Sequence, residues 1–252
     1  MQFIKLLFLP FIVLMLSILA CQTESTFEDF QVDQGYDYFP VAVGKSITYQ
    51  VDSIQFDTTG IGIVIDSSRY LVREVVVDSF RDNVDRLVYQ VERSQRLSEG
   101  DPWEILGVRS VIPGERQLEV LEENLRFIKM VFPLEDGELW DGNQFIDPAT
   151  TIVIKGEQLE IFKGWSYEVE ELGVSENING RTFEDVAVIL QAESENVIER
   201  RFSVEKYARG VGLIYREMQI MDTQCISACE GLPWEEKAQK GFILRQSIID
   251  FN

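Results

Sequence analysis

No histidine occurs among the 252 residues, and cysteine is nearly as scarce, at three. The first absence excludes Ser-His-Asp and Cys-His nucleophilic catalysis and any histidine-ligated metal centre. Three thiols cannot replace the missing imidazoles, so no catalytic residue, metal or cofactor is expected. Cations are the next shortage: 23 Lys and Arg stand against 43 Asp and Glu, a formal charge of −20. Phosphate recognition needs clustered Lys or Arg. A nucleic-acid partner is therefore excluded, and the acidity reads as a solvated exterior.

Long apolar runs are also lacking, with one exception at the N-terminus. Lys5 precedes the apolar stretch Leu6 to Leu16, which only Pro10 interrupts, and Ile18-Leu19-Ala20-Cys21 follows. A membrane-spanning helix needs roughly 20 apolar residues without a helix-breaking proline. This run is shorter and has the order of a lipoprotein signal peptide, residues 1–20, cleaved before Cys21. Cys21 is then the lipidation site, carrying acyl chains such as palmitate that hold the chain to a membrane. Gln22 is not the aspartate associated with inner-membrane retention in some bacteria, which favours the outer membrane, on its periplasmic or surface face. Residues 21–38 hold Glu24, Glu28, Asp29, Asp33 and Asp37 among few aliphatics and read as an acidic tether.

The other two cysteines, Cys225 and Cys229, are expected to pair in an oxidising envelope. Redox pairs have two intervening residues rather than three, and zinc would need further ligands.

From Phe39 onward the chain breaks into short runs of β-branched and aromatic residues separated by Gly, Asn and Asp. Ile47, Tyr49 and Val51 alternate with polar neighbours, as do Leu87, Tyr89 and Val91, and Trp165, Tyr167 and Val169. The run Tyr70 to Val77 alternates less cleanly and reads as a strand covered on both faces. Further strands are expected at 103–112, 117–121 and 125–132, although the leucines and glutamates of 115–129 would also suit a helix. Thr58 to Gly60, Glu122 to Asn124 and Asn179-Gly180 mark turns. Segments 182–192, 197–207, 212–221 and 241–251 read as a closing meander. The insertion 222–240 interrupts its last hairpin and holds the cysteine pair and a turn of helix at 233–239. The expected class is all-β and mainly antiparallel: a curved sheet, half-barrel or sandwich with few short helices.

Two internal matches suggest that the domain 39–252 comprises two related halves, 39–131 and 132–252. Phe39-Pro40-Val41 with Gly44 and Ile47 resembles Phe132-Pro133-Leu134 with Gly137 and Trp140, 93 residues on. Ile47 to Asp52 also resembles Trp165 to Glu170, at an offset of 118. Either 141–164 is an insertion in a duplicated unit, or one match is coincidental.

Phe39 to Tyr49, Gly180-Arg181-Thr182-Phe183-Glu184-Asp185-Val186 and Tyr207-Ala208-Arg209-Gly210-Val211-Gly212-Leu213-Ile214 together resemble uncharacterised cell-envelope lipoproteins of the Bacteroidota. The resemblance implies an envelope location and an antiparallel fold akin to the curved half-barrels of lipoprotein carriers. It implies no activity. Taken alone, Gly210 and Gly212 read as a strand bend, since no helix pattern or Lys-Ser/Thr follows to make a phosphate loop.

Paired carboxylates are the one catalytic option left, as in a glycosidase. Adjacent acids such as Glu170-Glu171 should point to opposite faces of a strand. Asp136-Gly137-Glu138 and Asp141-Gly142-Asn143 lack calcium-loop spacing and read as turn acids. Trp165 is expected in the core. Trp234, in the cysteine insertion, is expected to be exposed and is the candidate partner-binding residue. The leading expectation is a lipid-anchored, non-enzymatic envelope module that binds a partner protein or carries an apolar ligand. The alternatives are a carbohydrate-active enzyme and a scaffold component of an envelope assembly.

Overall fold

The computed structural model describes residues 32–59 and 62–252. The signal segment, Cys21 and the tether up to residue 31 lie outside the described residues, as do Gly60 and Ile61 of the first expected turn. A 3-10 turn, Tyr36–Tyr38, precedes six strands: β1 (Ser46–Thr59), β2 (Gly62–Arg81), β3 (Leu87–Arg96), β4 (Glu104–Pro113), β5 (Gln117–Glu122) and β6 (Leu125–Val131). Next come β7 (Leu139–Trp140), the small hairpin β8 (Thr151–Ile154) and β9 (Glu157–Glu160), and β10 (Tyr167–Ile178). The last strands are β11 (Arg181–Glu195), β12 (Glu199–Ala208), β13 (Gly212–Asp222) and β14 (Lys240–Phe251), with one helical turn, α1 (Trp234–Lys237), before β14.

Twelve of these strands form one antiparallel sheet in the order β6-β5-β4-β3-β2-β1-β14-β13-β12-β11-β10-β7. Strand accounts for 63% of the chain and helix for 3%, and the sheet curls into a nearly closed barrel, so the all-β expectation stands. The gap between β6 and β7 is bridged by two hydrogen bonds. Ile128 N–H donates to the Gly142 carbonyl at 2.8 Å, and Trp140 Nε1 donates to the Ile128 carbonyl at 2.9 Å. Gly142 permits this approach because a Cβ there would lie 2.4 Å from the Tyr167 ring.

Turn chemistry explains the local register. Glu123 and Asn124 (φ 50° and 65°) and Asn179 and Gly180 (φ 52° and 81°) take the paired positive φ of tight hairpins. The leucines and glutamates of 115–129 therefore lie in β5 and β6 rather than in a helix. In β2 the buried residues are Val72, Glu74 and Val76, while Val77 is exposed. The strand is therefore not covered on both faces. Its alternation looks blurred because a glutamate occupies an inward position between two valines.

Two stretches have the same connectivity. Gly44 N–H donates to the Val76 carbonyl and Val76 N–H to that of Lys45; Gly137 N–H donates to Val169 and Val169 N–H to Glu138. β2 lies beside β1 as β10 lies beside β7. The match at the longer offset pairs β1 with β10, which have different neighbours.

Of the stretch read as tether, Asp33, Asp37 and Tyr38 belong to the folded unit, which spans 33–252. Arg209 holds Asp33 at 2.8 Å, Asp37 at 2.5 Å and Asp185 at 2.5 Å, and its guanidinium stacks on the Tyr38 ring. Two of the stretches that carry the lipoprotein resemblance meet in the Asp185–Arg209 pair, and Tyr38, Phe39 and Val41 close that end of the barrel as part of its main core.

Candidate functional site

Period-two alternation directs Ser203, Glu205 and Tyr207 of β12, and Ile214, Arg216, Met218 and Ile220 of β13, into the barrel. Glu205 and Arg216 are directly opposed. Inside, three carboxylates and four cations form a charged layer. Glu74 pairs with Arg93 and Arg109, Glu122 with Arg93, and Glu205 with both Lys129 and Arg216.

Glu205 is the deepest of these, 1% exposed. Its Oε1 accepts from Lys129 Nζ at 2.9 Å and Arg216 Nε at 2.7 Å, and its Oε2 from Gln191 Nε2 at 2.6 Å and the Tyr207 hydroxyl at 2.5 Å. Burial works to raise the Glu205 carboxyl. Lys129 and Arg216, aided by the Tyr207 hydroxyl, outweigh it and hold the group well below the ordinary carboxylate range. Glu122 is treated alike: burial pushes it up, and Arg109 and Arg93 bring it below its ordinary value. Lys129 moves down because burial outweighs the attraction of Glu205.

Above this layer lies a cavity of about 200 Å³. Glu122, Lys129, Gln191, Glu205 and Arg216 form its polar side, and apolar walls come from Phe127, Ile161, Phe162, Trp165 and Met218 among others. The β8–β9 hairpin covers it, packing Ile152, Ile154 and Leu159 in one cluster with Phe162, Ile220 and Phe242. Trp165 belongs to this wall, half-buried, with its indole N–H donating to the Ile161 carbonyl at 2.5 Å. A wider groove of about 590 Å³ lies elsewhere, lined by Tyr36, Phe39, Leu87, Pro113 and Phe132.

None of the residues that form this cavity stands out in the sequence as a site; Trp165, expected in the core, lines its wall. A signal was available in the parity of the strands. Glu74 sits between Val72 and Val76, and Arg216 between Ile214 and Met218, each at an inward position.

Trp234 is not exposed, as its place in the cysteine insertion suggested, but buried. It is 6% exposed and packs with Phe56, Met221, Ala238 and Ile243. Strands β1, β13 and β14 leave an apolar strip on their outer face, and α1 folds back to cover it, so the indole is buried in the domain. Cys225 and Cys229 lie in the same insertion and are joined by a disulfide, with Cα atoms 5.5 Å apart.

A β-bulge falls between Val169 and Glu171, and both Glu170 and Glu171 are exposed rather than divided between faces. Burial, then the neighbouring Glu171, Glu193 and Glu168, raise the Glu170 carboxyl. Asp141 accepts from the Asn143 backbone at 3.0 Å, as a turn acid does. Among the described residues no group of three or more Cys, Asp or Glu side chains could hold a metal ion, and no helix is long and apolar enough to cross a membrane.

No protein-family model matches the chain, and no curated protein matches it. Among solved structures, a chain described as a "putative lipoprotein" from Parabacteroides distasonis ATCC 8503 is similar. It is 10% identical, with a TM-score of 0.38, over 86% of this chain and 98% of that one.

Proposed function

We propose that this is a lipid-anchored module of the bacterial cell envelope that binds a small ligand with an apolar body in the cavity beneath the β8–β9 hairpin. The supporting observation is the cavity itself: apolar walls over a few convergent polar groups make the usual composition of a small-molecule site. Its volume restricts the ligand. Pockets for drug-sized ligands run to roughly 300–1,000 Å³, and one of about 200 Å³ suits a compact molecule, so the module is read as a binder of compact molecules rather than a carrier of long acyl chains. The two related halves, 39–131 and 132–252, are read as a duplicated unit, supported by the recurring Gly44–Val76 and Gly137–Val169 hydrogen bonds. The anchor is Cys21, with the outer membrane as the favoured site.

Glu122 and Glu205 line one cavity, which favours the paired-carboxylate enzyme as a second reading. A glycosidase needs one of the two to keep its proton near neutral pH. Both are held below their ordinary values, so neither suits a general acid.

The ligand reading is tested by calorimetric titration of compact aromatic molecules, neutral and charged, into the wild type and into Ile161→Trp, which fills the cavity. At least one compound should bind the wild type with a Kd below about 1 mM and be lost from the variant. Equal binding to both proteins, or binding to neither, removes the reading. For the anchor, Cys21→Ala should leave the membrane fraction on centrifugation while staying folded by circular dichroism. Its retention in that fraction would exclude lipidation as the tether.

A further inference from the structure

Lys129 and Arg216 share a single carboxylate, and that carboxylate is fully used. Five donor contacts end on Glu205: Lys129 Nζ, Arg216 Nε and Arg216 Nη2 on Oε1, and Gln191 Nε2 and the Tyr207 hydroxyl on Oε2. An ammonium has three donors and a guanidinium five. Among the described residues Glu205 is the one hydrogen-bonded partner of both cations. The remaining donors have no second acceptor in the layer.

The charge count gives the same result. Glu74, Arg93, Arg109 and Glu122 balance as two ions of each sign, whereas Glu205 is the one acid ion-paired with Lys129 and Arg216, with Glu122 adding attraction from farther off. The layer thus holds one uncompensated positive charge in a chain whose formal charge is −20. Buried charges are normally paired, because an unpaired ion away from water is costly. Lys129 and Arg216 both border the cavity, and so does Glu122, whose charge is taken up by Arg93.

We infer that the cavity takes a small organic carboxylate, bound with its anionic group between the Lys129 ammonium and the Arg216 guanidinium. Its apolar body lies against Phe127, Phe162 and Trp165. The inference rests on the ligand reading above and adds the chemical class of the head group. A second carboxylate supplies the missing acceptor and cancels the excess charge, and a planar guanidinium suits its two oxygens. An apolar cavity of about 150 Å³ suffices for benzene. The 200 Å³ here accommodates a benzene ring bearing a short acid chain. Glu122 selects against dianions, which would place a second negative charge beside it.

The test compares 3-phenylpropionate with its neutral amide, 3-phenylpropanamide, by calorimetry on the full-length lipidated protein in a neutral detergent. The wild type should bind the acid about tenfold or more tightly than the amide, the range expected for charge-assisted hydrogen bonds. Lys129→Met should narrow that ratio to below about threefold and leave amide affinity nearly unchanged. Equal affinities in the wild type overturn the carboxylate assignment, and so does a ratio that persists in Lys129→Met. The wild-type ratio needs no variant, so it stands even if Lys129→Met does not fold. Ile161→Trp separates the two levels of the reading. If it abolishes binding of both compounds while the wild type binds them equally, the cavity reading survives and the carboxylate fails. If both compounds bind it as well as they bind the wild type, the cavity reading fails too.

Discussion

Glu205→Leu should cost about 3–5 kcal/mol of folding stability, the range for removing one partner from a buried ion pair. The loss comes from what remains. Lys129 and Arg216 would be left inside the barrel without an ion-pair partner, and the Gln191 amide and Tyr207 hydroxyl would lose their shared acceptor. Urea denaturation followed by circular dichroism measures the effect, and a change within about 0.5 kcal/mol would exclude a central role for this carboxylate. The triple variant Glu205→Leu, Lys129→Met, Arg216→Met should recover most of the loss, since well-packed apolar side chains can replace a buried ion group at little cost.

The same carboxylate sets a pH dependence. Its folded value lies below the ordinary 4.5, so its stabilisation is fully present above that pH and is lost progressively as the pH falls toward the folded value. Glu122 acts in the same direction. Lys129 gives a slope of the same sign in the alkaline range: burial lowers its folded value, so stability increases as the pH rises through it. The wild type should therefore lose stability steeply below about pH 4.5, and Glu205→Leu more gradually. Parallel curves would show that Glu205 does not titrate as placed.

Trp234→Ala should cost about 3–5 kcal/mol, as for other buried large aromatic residues. At this chain length that corresponds to a fall in Tm of roughly 6–20 °C. The indole fills the space between the α1 turn and the outer face of β1, β13 and β14, against Phe56, Met221 and Ile243. A surface tryptophan kept for a partner would change stability by less than about 0.5 kcal/mol on truncation. Thermal denaturation therefore separates the two roles directly, and a Tm change under 2 °C would return Trp234 to the surface.

The strands were legible because their signals are local. Alternation fixed the placement of β1, β3 and β10 around Tyr49, Tyr89 and Tyr167, and Asn179-Gly180 fixed a hairpin through a backbone conformation few residues adopt. The inward charges were harder to see. Arg93, Lys129 and Glu205 each look like an ordinary polar residue of a half-exposed strand, and only the parity of neighbours such as Val91, Phe127 and Tyr207 hints otherwise. Trp234 was misplaced for a related reason. A long polar insertion reads as exposed, and nothing within it announces that an apolar strip on three distant strands will need a cover.

The sequence by itself determined the β class, the hairpin turns, the acidic exterior and the absence of imidazole chemistry, because each depends on residue type or on neighbours a few positions away. Tertiary structure alone decided that residues 74, 93, 109, 122, 129, 205 and 216 meet in one layer. They come from seven different strands, and which inward charge faces which depends on sheet order and register once the barrel curls. That same closure leaves Lys129 and Arg216 with one carboxylate between them, a shortfall that a count of 43 acids and 23 bases could not reveal.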